Sequence, residues 1–141
     1  MKALLRPILR YAEFHGRASR REFWLFAALF VALNFAANWI DGLDGERTIV
    51  AARMGIAELA VTIALLLPFL SSGTRRLHDS GRAGWWLVLL YIPYAAWVVS
   101  AENAQAQLVT QGALLTGFAA LVFLLLLPGS DGANAYGSRT D

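Results

Sequence analysis

The sequence predicts an all-α membrane protein with four transmembrane helices and an N-terminal amphipathic helix at the bilayer interface. The chain has 141 residues, of which 57% are hydrophobic and only 16% are charged. Soluble domains are about half apolar and about a quarter charged. The apolar residues also fall into four long runs, each close to the length that crosses a bilayer. We therefore expect residues 1–141 to form a single integral membrane domain.

The chain begins with a basic amphipathic segment, residues 1–21, which we expect on the cytoplasmic surface. Leu5, Ile8 and Leu9 recur at helical spacing, and the basic side chains fall on the opposite side. This pattern is typical of a helix that lies on the bilayer surface. Ser19 followed by Glu22 is a capping-box pattern, which predicts the start of the next helix.

Four apolar runs predict the spans, and the polar segments between them predict the topology. The spans are expected at about residues 23–40, 54–70, 85–100 and 112–127. An even number of spans leaves both termini on one side of the membrane. Ten of the twelve Lys and Arg residues fall on that side, and only Arg47 and Arg53 fall on the other. The positive-inside rule therefore predicts that both termini are cytoplasmic.

The tail, residues 128–141, is rich in glycine and turn-forming residues. This composition predicts no regular structure. We expect the tail to fold back as a compact lid, with Asn134 and Tyr136 supplying hydrogen bonds.

Three polar segments come to the same predicted face, and their sequences are distinctive. Residues 16–24 read G-R-A-S-R-R-E-F-W, and residues 127–137 read L-P-G-S-D-G-A-N-A-Y-G. Residues 75–86 read R-R-L-H-D-S-G-R-A-G-W-W, and we expect them to form a tight cytoplasmic loop between the second and third spans. Together they resemble the YhaH-like family of bacterial inner-membrane proteins, also called domain of unknown function 805. The resemblance covers nearly the whole chain. It implies a small multi-pass protein of the bacterial inner membrane, and it implies no reaction.

The candidate site is a charged cluster within the first two of these segments, which we expect at the depth of the lipid headgroups. Its members are Arg17, Arg20, Arg21, Arg75, Arg76, His78, Asp79 and Arg82. The planar arginine fork suits phosphate, and basic clusters beside membrane helices bind anionic headgroups. The same arginines could instead set the topology and clasp the cytoplasmic layer together. The sequence leaves both interpretations open.

The pair His78–Asp79 raises the hypothesis of an enzyme that acts on a phospholipid headgroup. Adjacent residues seldom reach the geometry of a base and its orienting carboxylate, and no nucleophile accompanies them. We therefore expect a non-enzymatic protein with no catalytic residues. Asp79 should pair with an arginine of residues 16–24 or cap the next helix, and His78 should bond a backbone carbonyl. With no cysteine and only two histidines, neither a metal nor a cofactor is expected.

A polar face on the first span forms a second candidate site within the membrane. Its members are Asn34, Asn38, Asp41 and, at the start of the second span, Glu58. Hydrogen bonding between helices is the interpretation that we favour. The alternative is a small oligomeric transporter or channel whose pathway uses this face. The expected partners are the lipid bilayer, anionic phospholipids, and a second copy or another protein; nothing indicates nucleic acid.

Overall fold

Helices account for all the regular secondary structure in the described part of the chain. The computed structural model describes residues 2–43, 55–89, 91–92, 96 and 104–138. The helices are α1 (Lys2–Leu9), α2 (Arg20–Leu43), α3 (Ile56–Asp79), a short 3-10 helix (Gly84–Leu87) and α4 (Ala104–Leu126). Within these residues α2, α3 and α4 are long and apolar enough to cross a membrane. At 1.5 Å per residue each is about 35 Å long. The all-α membrane fold class is confirmed.

The predicted spans agree with these helices to different degrees. The first predicted span lies inside α2, and the fourth covers about the last two-thirds of α4, which begins earlier, at Ala104, and ends at Leu126. The third predicted span, residues 85–100, starts in the 3-10 helix, and half of its residues lie outside the described ones. The four-span count therefore stays a prediction. The interfacial helix is shorter than its predicted segment, since α1 ends at Leu9.

The second span differs most from the prediction. The sequence placed the end of this helix near residue 70 and a loop from Arg75, but α3 continues to Asp79. The loop prediction was wrong because basic side chains are favourable in the last turn of a helix and these ones have partners inside the protein. The true turn follows at residues 80–83. Gly81 has a φ of 74°, and the Gly81 and Arg82 N–H groups bond the carbonyls of His78 and Leu77, which is a Schellman cap.

The chain forms two compact units. The first comprises Met1–Phe14 and Arg21–Ser72. Within it, most of α2 and the N-terminal part of α3 pair as an antiparallel hairpin. The rings of Phe30 and Phe69 stack with their centroids 4.7 Å apart, and Phe26 is fully buried.

The second unit comprises His15–Arg20 and Gly73–Asp141. Its buried apolar side chains are Ala18, Leu77, Leu87, Leu121 and Leu125. Large apolar side chains elsewhere on the spanning helices face outward. Phe35 on α2 and Leu108 on α4, for example, are 71% and 70% exposed. Such outward apolar surface fits a lipid environment and would be unusual in a soluble domain.

Candidate functional site

The candidate site is centred on Asp79, the last residue of α3, whose carboxylate lies between two arginines. Arg17 Nε donates to Asp79 Oδ1 at 2.8 Å, and Arg76 Nη1 donates to Asp79 Oδ2. The side chains of Arg17, Arg76 and Asp79 are 1%, 0% and 9% exposed. The predicted pairing of Asp79 with an arginine of residues 16–24 is therefore present. One buried carboxylate balances only one of two buried cations, so the remaining charge has to be met by other acceptors.

Backbone carbonyls of the tail supply acceptors for Arg17. Its Nη1 donates to the Gly132 carbonyl at 2.6 Å, and its Nη2 donates to the Ser130 carbonyl at 2.8 Å. The Ser130 N–H in turn donates to the Asp79 carbonyl at 2.9 Å. A guanidinium has five N–H donors in a fixed fork, and Arg17 uses that fork to join the end of α3 to the tail.

Arg76 makes the equivalent connection to the end of α4. Its Nε donates to the Leu125 carbonyl at 2.9 Å, and its Nη2 donates to the Leu127 carbonyl. The last carbonyls of a helix have no partner within the helix. A cation at this position also interacts favourably with the negative end of the helix dipole. Arg76 is thus a C-terminal cap for α4.

His78 holds the tail through its ring and its backbone. The ring stacks on Tyr136, with centroids 3.8 Å apart and planes 5° from parallel. Its Nδ1 lies 3.2 Å from the Gly16 carbonyl, which confirms the predicted bond to a backbone carbonyl. The Asn134 side-chain amide donates to the His78 carbonyl at 2.9 Å. Asn134 therefore plays its predicted role, whereas Tyr136 contributes a ring stack that the sequence did not predict.

As predicted, residues 128–138 contain no helix or strand, and they fold back on the end of α3. Asn134 and Gly137 exchange two backbone hydrogen bonds of 3.0 Å, and the Tyr136 N–H donates to Asn134 Oδ1 at 2.9 Å. Gly129 is required for close approach, because a Cβ atom there would collide with the Asp79 carboxylate. We call the assembly of Arg17, Arg76, His78 and Asp79 with residues 127–137 the clasp.

The other members of the predicted cluster lie in different environments. Arg75 is fully buried, and its carbonyl accepts the Ala18 N–H at 3.0 Å. Arg82 is half-buried and donates to the Ser80 carbonyl at 3.2 Å. Arg20 and Arg21, at the start of α2, are exposed. The structure thus separates buried arginines, which bond the protein, from an exposed pair.

The polar face of α2 pairs with α3 inside the first unit. Asn38 Nδ2 donates to Glu58 Oε2 at 2.9 Å. Asp41 accepts the N–H groups of Ala57 and Glu58 at 3.0 and 2.9 Å, which caps the start of α3. The sequence missed one partner: the Thr62 hydroxyl donates to Asn34 Oδ1 at 2.6 Å. Its signal was a lone hydroxyl within an apolar run.

Metal-binding geometry is not found in the described ranges, where no three His, Cys, Asp or Glu side chains come together.

A second residue that the sequence did not single out is Tyr11, whose hydroxyl donates to the Ala64 carbonyl at 2.7 Å. The signal for that contact was Pro68, whose missing N–H leaves the carbonyl four residues earlier without its usual donor.

Comparisons with known proteins agree with the membrane assignment. The family described as protein of unknown function (DUF805) matches residues 11–138. Inner membrane protein YhaH of Escherichia coli (strain K12) is 33% identical over 103 residues, covering 72% of this chain and 84% of that protein. Inner membrane protein YhaI of the same strain is 30% identical over 99 residues, covering 70% and 79%.

A further relative, uncharacterized protein YiiR of Escherichia coli (strain K12), is 29% identical over 137 residues, covering 91% of this chain and 86% of that protein. No solved structure matches. The family match includes all the residues of the clasp and the polar face of α2. The apolar helices, the match over most of the chain and the two inner-membrane relatives lead to one conclusion: the chain is a membrane protein that belongs to the DUF805 family.

Proposed function

We propose that this chain is a non-enzymatic, multi-pass protein of the bacterial inner membrane whose exposed arginines bind anionic lipid headgroups at the cytoplasmic surface. One observation carries the proposal, namely that the arginines fall into two groups. Arg17 and Arg76 are buried and bonded to protein acceptors, whereas Arg20 and Arg21 are exposed. A phosphate group could reach the exposed pair without breaking the clasp.

The environment of His78 and Asp79 argues for a non-enzymatic role. A general base and its orienting carboxylate need to bond each other and face a substrate. Here the carboxylate bonds two arginines, and the imidazole bonds a carbonyl and stacks on Tyr136. We therefore favour a structural role for both residues over the headgroup-enzyme hypothesis.

The clasp also supports four spans. Because Arg76 near the end of α3 bonds the carbonyls of Leu125 and Leu127, the C-terminal ends of α3 and α4 lie at the same side of the bilayer. We infer that α4 begins at the opposite side and that the chain crosses the membrane once more between α3 and α4. The predicted span at 85–100 would provide that crossing. The excess of basic residues at the clasp side then favours cytoplasmic termini.

The bonding within the polar face of α2 favours helix pairing over transport. Asn34 and Asn38 both bond side chains of α3, as expected for polar residues that join helices. We therefore do not favour the oligomeric transporter or channel.

Anionic lipid retention tests the proposal. The double variant Arg20→Gln/Arg21→Gln removes two charges from the exposed pair, and each basic residue near a membrane surface contributes about 1 kcal/mol toward anionic lipid at low salt. After salt screening, we expect roughly a tenfold loss of phosphatidylglycerol retained over phosphatidylcholine, measured by native mass spectrometry of protein released from nanodiscs.

The matched control is Arg47→Gln/Arg53→Gln, which removes the same charge from the predicted opposite face. It should retain anionic lipid as the wild type does. Equal retention by wild type and the Arg20/Arg21 variant would contradict headgroup binding at the exposed pair. Equal loss in both double variants would show that net charge alone is responsible.

A further inference from the structure

The inference concerns Pro68, which lies inside α3. Proline has no N–H, so the hydrogen bond that residue 68 would normally donate to the Ala64 carbonyl is missing. In a water-exposed helix the solvent would supply a donor. In a span, lipid offers none, and an unsatisfied backbone group in hydrocarbon is unfavourable. The Ala64 carbonyl therefore needs a donor from elsewhere in the protein.

Tyr11 supplies that donor from the segment that follows α1. Its hydroxyl donates to the Ala64 carbonyl at 2.7 Å, across 53 positions of sequence. The carbonyl that Tyr11 reaches is the one that Pro68 deprives of its usual partner. The phenol thus completes the hydrogen bonding of α3 at the position where the helix itself cannot.

The backbone of Tyr11 is held against α3 at a second point. The fully buried Ser71 hydroxyl lies 3.2 Å from the Tyr11 carbonyl and 3.1 Å from the Pro68 carbonyl. Pro68 is itself fully buried. Tyr11 therefore lies along about two turns of α3, with its carbonyl near Ser71 and its hydroxyl near Ala64.

The helix that precedes Tyr11 presents an apolar face that is exposed within the described part of the chain. Leu5, Ile8 and Leu9, spaced as one helical face, are 48%, 39% and 80% exposed. On the other side of α1, Arg6 pairs with the buried Glu22 at 3.7 Å. A short helix with this arrangement has its apolar face available to the acyl chains of the bilayer surface.

We propose that Tyr11 is the latch of a proline hinge in α3, and that it couples the seating of α1 on the bilayer to the hydrogen bonding of that span. While α1 is seated, the phenol satisfies the Ala64 carbonyl and α3 is continuous. When α1 shifts, the carbonyl loses its donor and α3 becomes free to bend at Pro68. The latch uses different residues from the exposed arginine pair and does not depend on headgroup binding.

A double-mutant cycle on the full-length protein in nanodiscs tests the latch. Tyr11→Phe removes only the hydroxyl, and Pro68→Ala restores the N–H that bonds Ala64 within the helix. Hydrogen–deuterium exchange is followed in peptides covering residues 60–72. We expect Tyr11→Phe to speed this exchange about tenfold, the effect of losing one intramolecular hydrogen bond on a local opening. In the Pro68→Ala background the same change should have less than about a twofold effect.

Tyr136→Phe is the control, because it removes a phenol hydroxyl elsewhere and should leave exchange over residues 60–72 unchanged. Two results would overturn the proposal. If Tyr11→Phe accelerates exchange equally in both backgrounds, the hydroxyl acts independently of Pro68. If it has no effect even with Pro68 present, the carbonyl does not need the phenol.

Discussion

Arg17→Gln provides the most direct test of the clasp, because one side chain joins three separate backbone segments. The substitution removes the bond to the Asp79 carboxylate, at 2.8 Å, and the two short bonds to the Ser130 and Gly132 carbonyls. Arg76 still bonds Asp79, so the carboxylate keeps one cationic partner. The loss is therefore smaller than that of stranding a buried charge outright.

The magnitude follows from the number and type of these bonds. A hydrogen bond that involves a charged group contributes about 1.5–3 kcal/mol, so three of them set an upper bound of about 5–9 kcal/mol. The glutamine amide and entering water recover part of this. We expect Arg17→Gln to lower the free energy of unfolding by about 3–5 kcal/mol, the range seen when a buried ion pair is broken.

The measurement is reversible unfolding in mixed micelles, followed by tryptophan fluorescence, together with hydrogen exchange of residues 128–138. Arg20→Gln is the matched control, because it makes the same charge change three positions away on an exposed side chain and should shift stability by less than about 0.5 kcal/mol. Arg17→Lys keeps the charge and loses the fork, so an intermediate loss of about 2 kcal/mol is expected. The clasp would be refuted if Arg17→Gln and Arg20→Gln unfolded alike with the tail equally protected.

Two further predictions concern close packing and the polar face of α2. Gly129→Ala should lower the free energy of unfolding by about 1–3 kcal/mol in the same assay, because the new Cβ would collide with the Asp79 carboxylate. Gly132→Ala is the control and should be neutral, because a Cβ there meets open space. Equal effects of the two substitutions would contradict the close packing of Gly129 against Asp79. Asn38→Leu should lower stability by about 0.5–1 kcal/mol, because Glu58 loses its donor. Liposomes that contain either the wild type or Asn38→Leu should show the same ion and proton flux as empty vesicles. If the wild type conducted and Asn38→Leu did not, the transporter hypothesis would be favoured again.

Part of the clasp was predictable from sequence. Asp79 lies among arginines in the sequence, and a buried carboxylate is stable only when it is paired with a cation. Because the predicted topology brings residues 16–24 to the same face, the pairing of Asp79 with an arginine of that segment could be predicted. The carbonyl acceptors did not follow, because every residue has a carbonyl and only the path of the tail decides which ones Arg17 reaches. The end of α3 was misplaced for a related reason. The arginines at 75 and 76 indicated a loop only as long as the partners of Arg76, the carbonyls of Leu125 and Leu127, were unknown.

Sequence alone was enough to establish that this chain is an all-α membrane protein, where its apolar runs lie and which family it belongs to. These properties depend on composition and on the order of residues along the chain. A segment that crosses a bilayer has to bond its backbone internally, as a long apolar helix does, whatever it packs against. The three-dimensional contacts were needed to establish which arginines are buried in the clasp and which are exposed. They also established that Tyr11, rather than solvent, donates to the Ala64 carbonyl that Pro68 leaves without its helical partner. Those outcomes depend on contacts between residues about 50 to 115 positions apart, which local patterns do not encode.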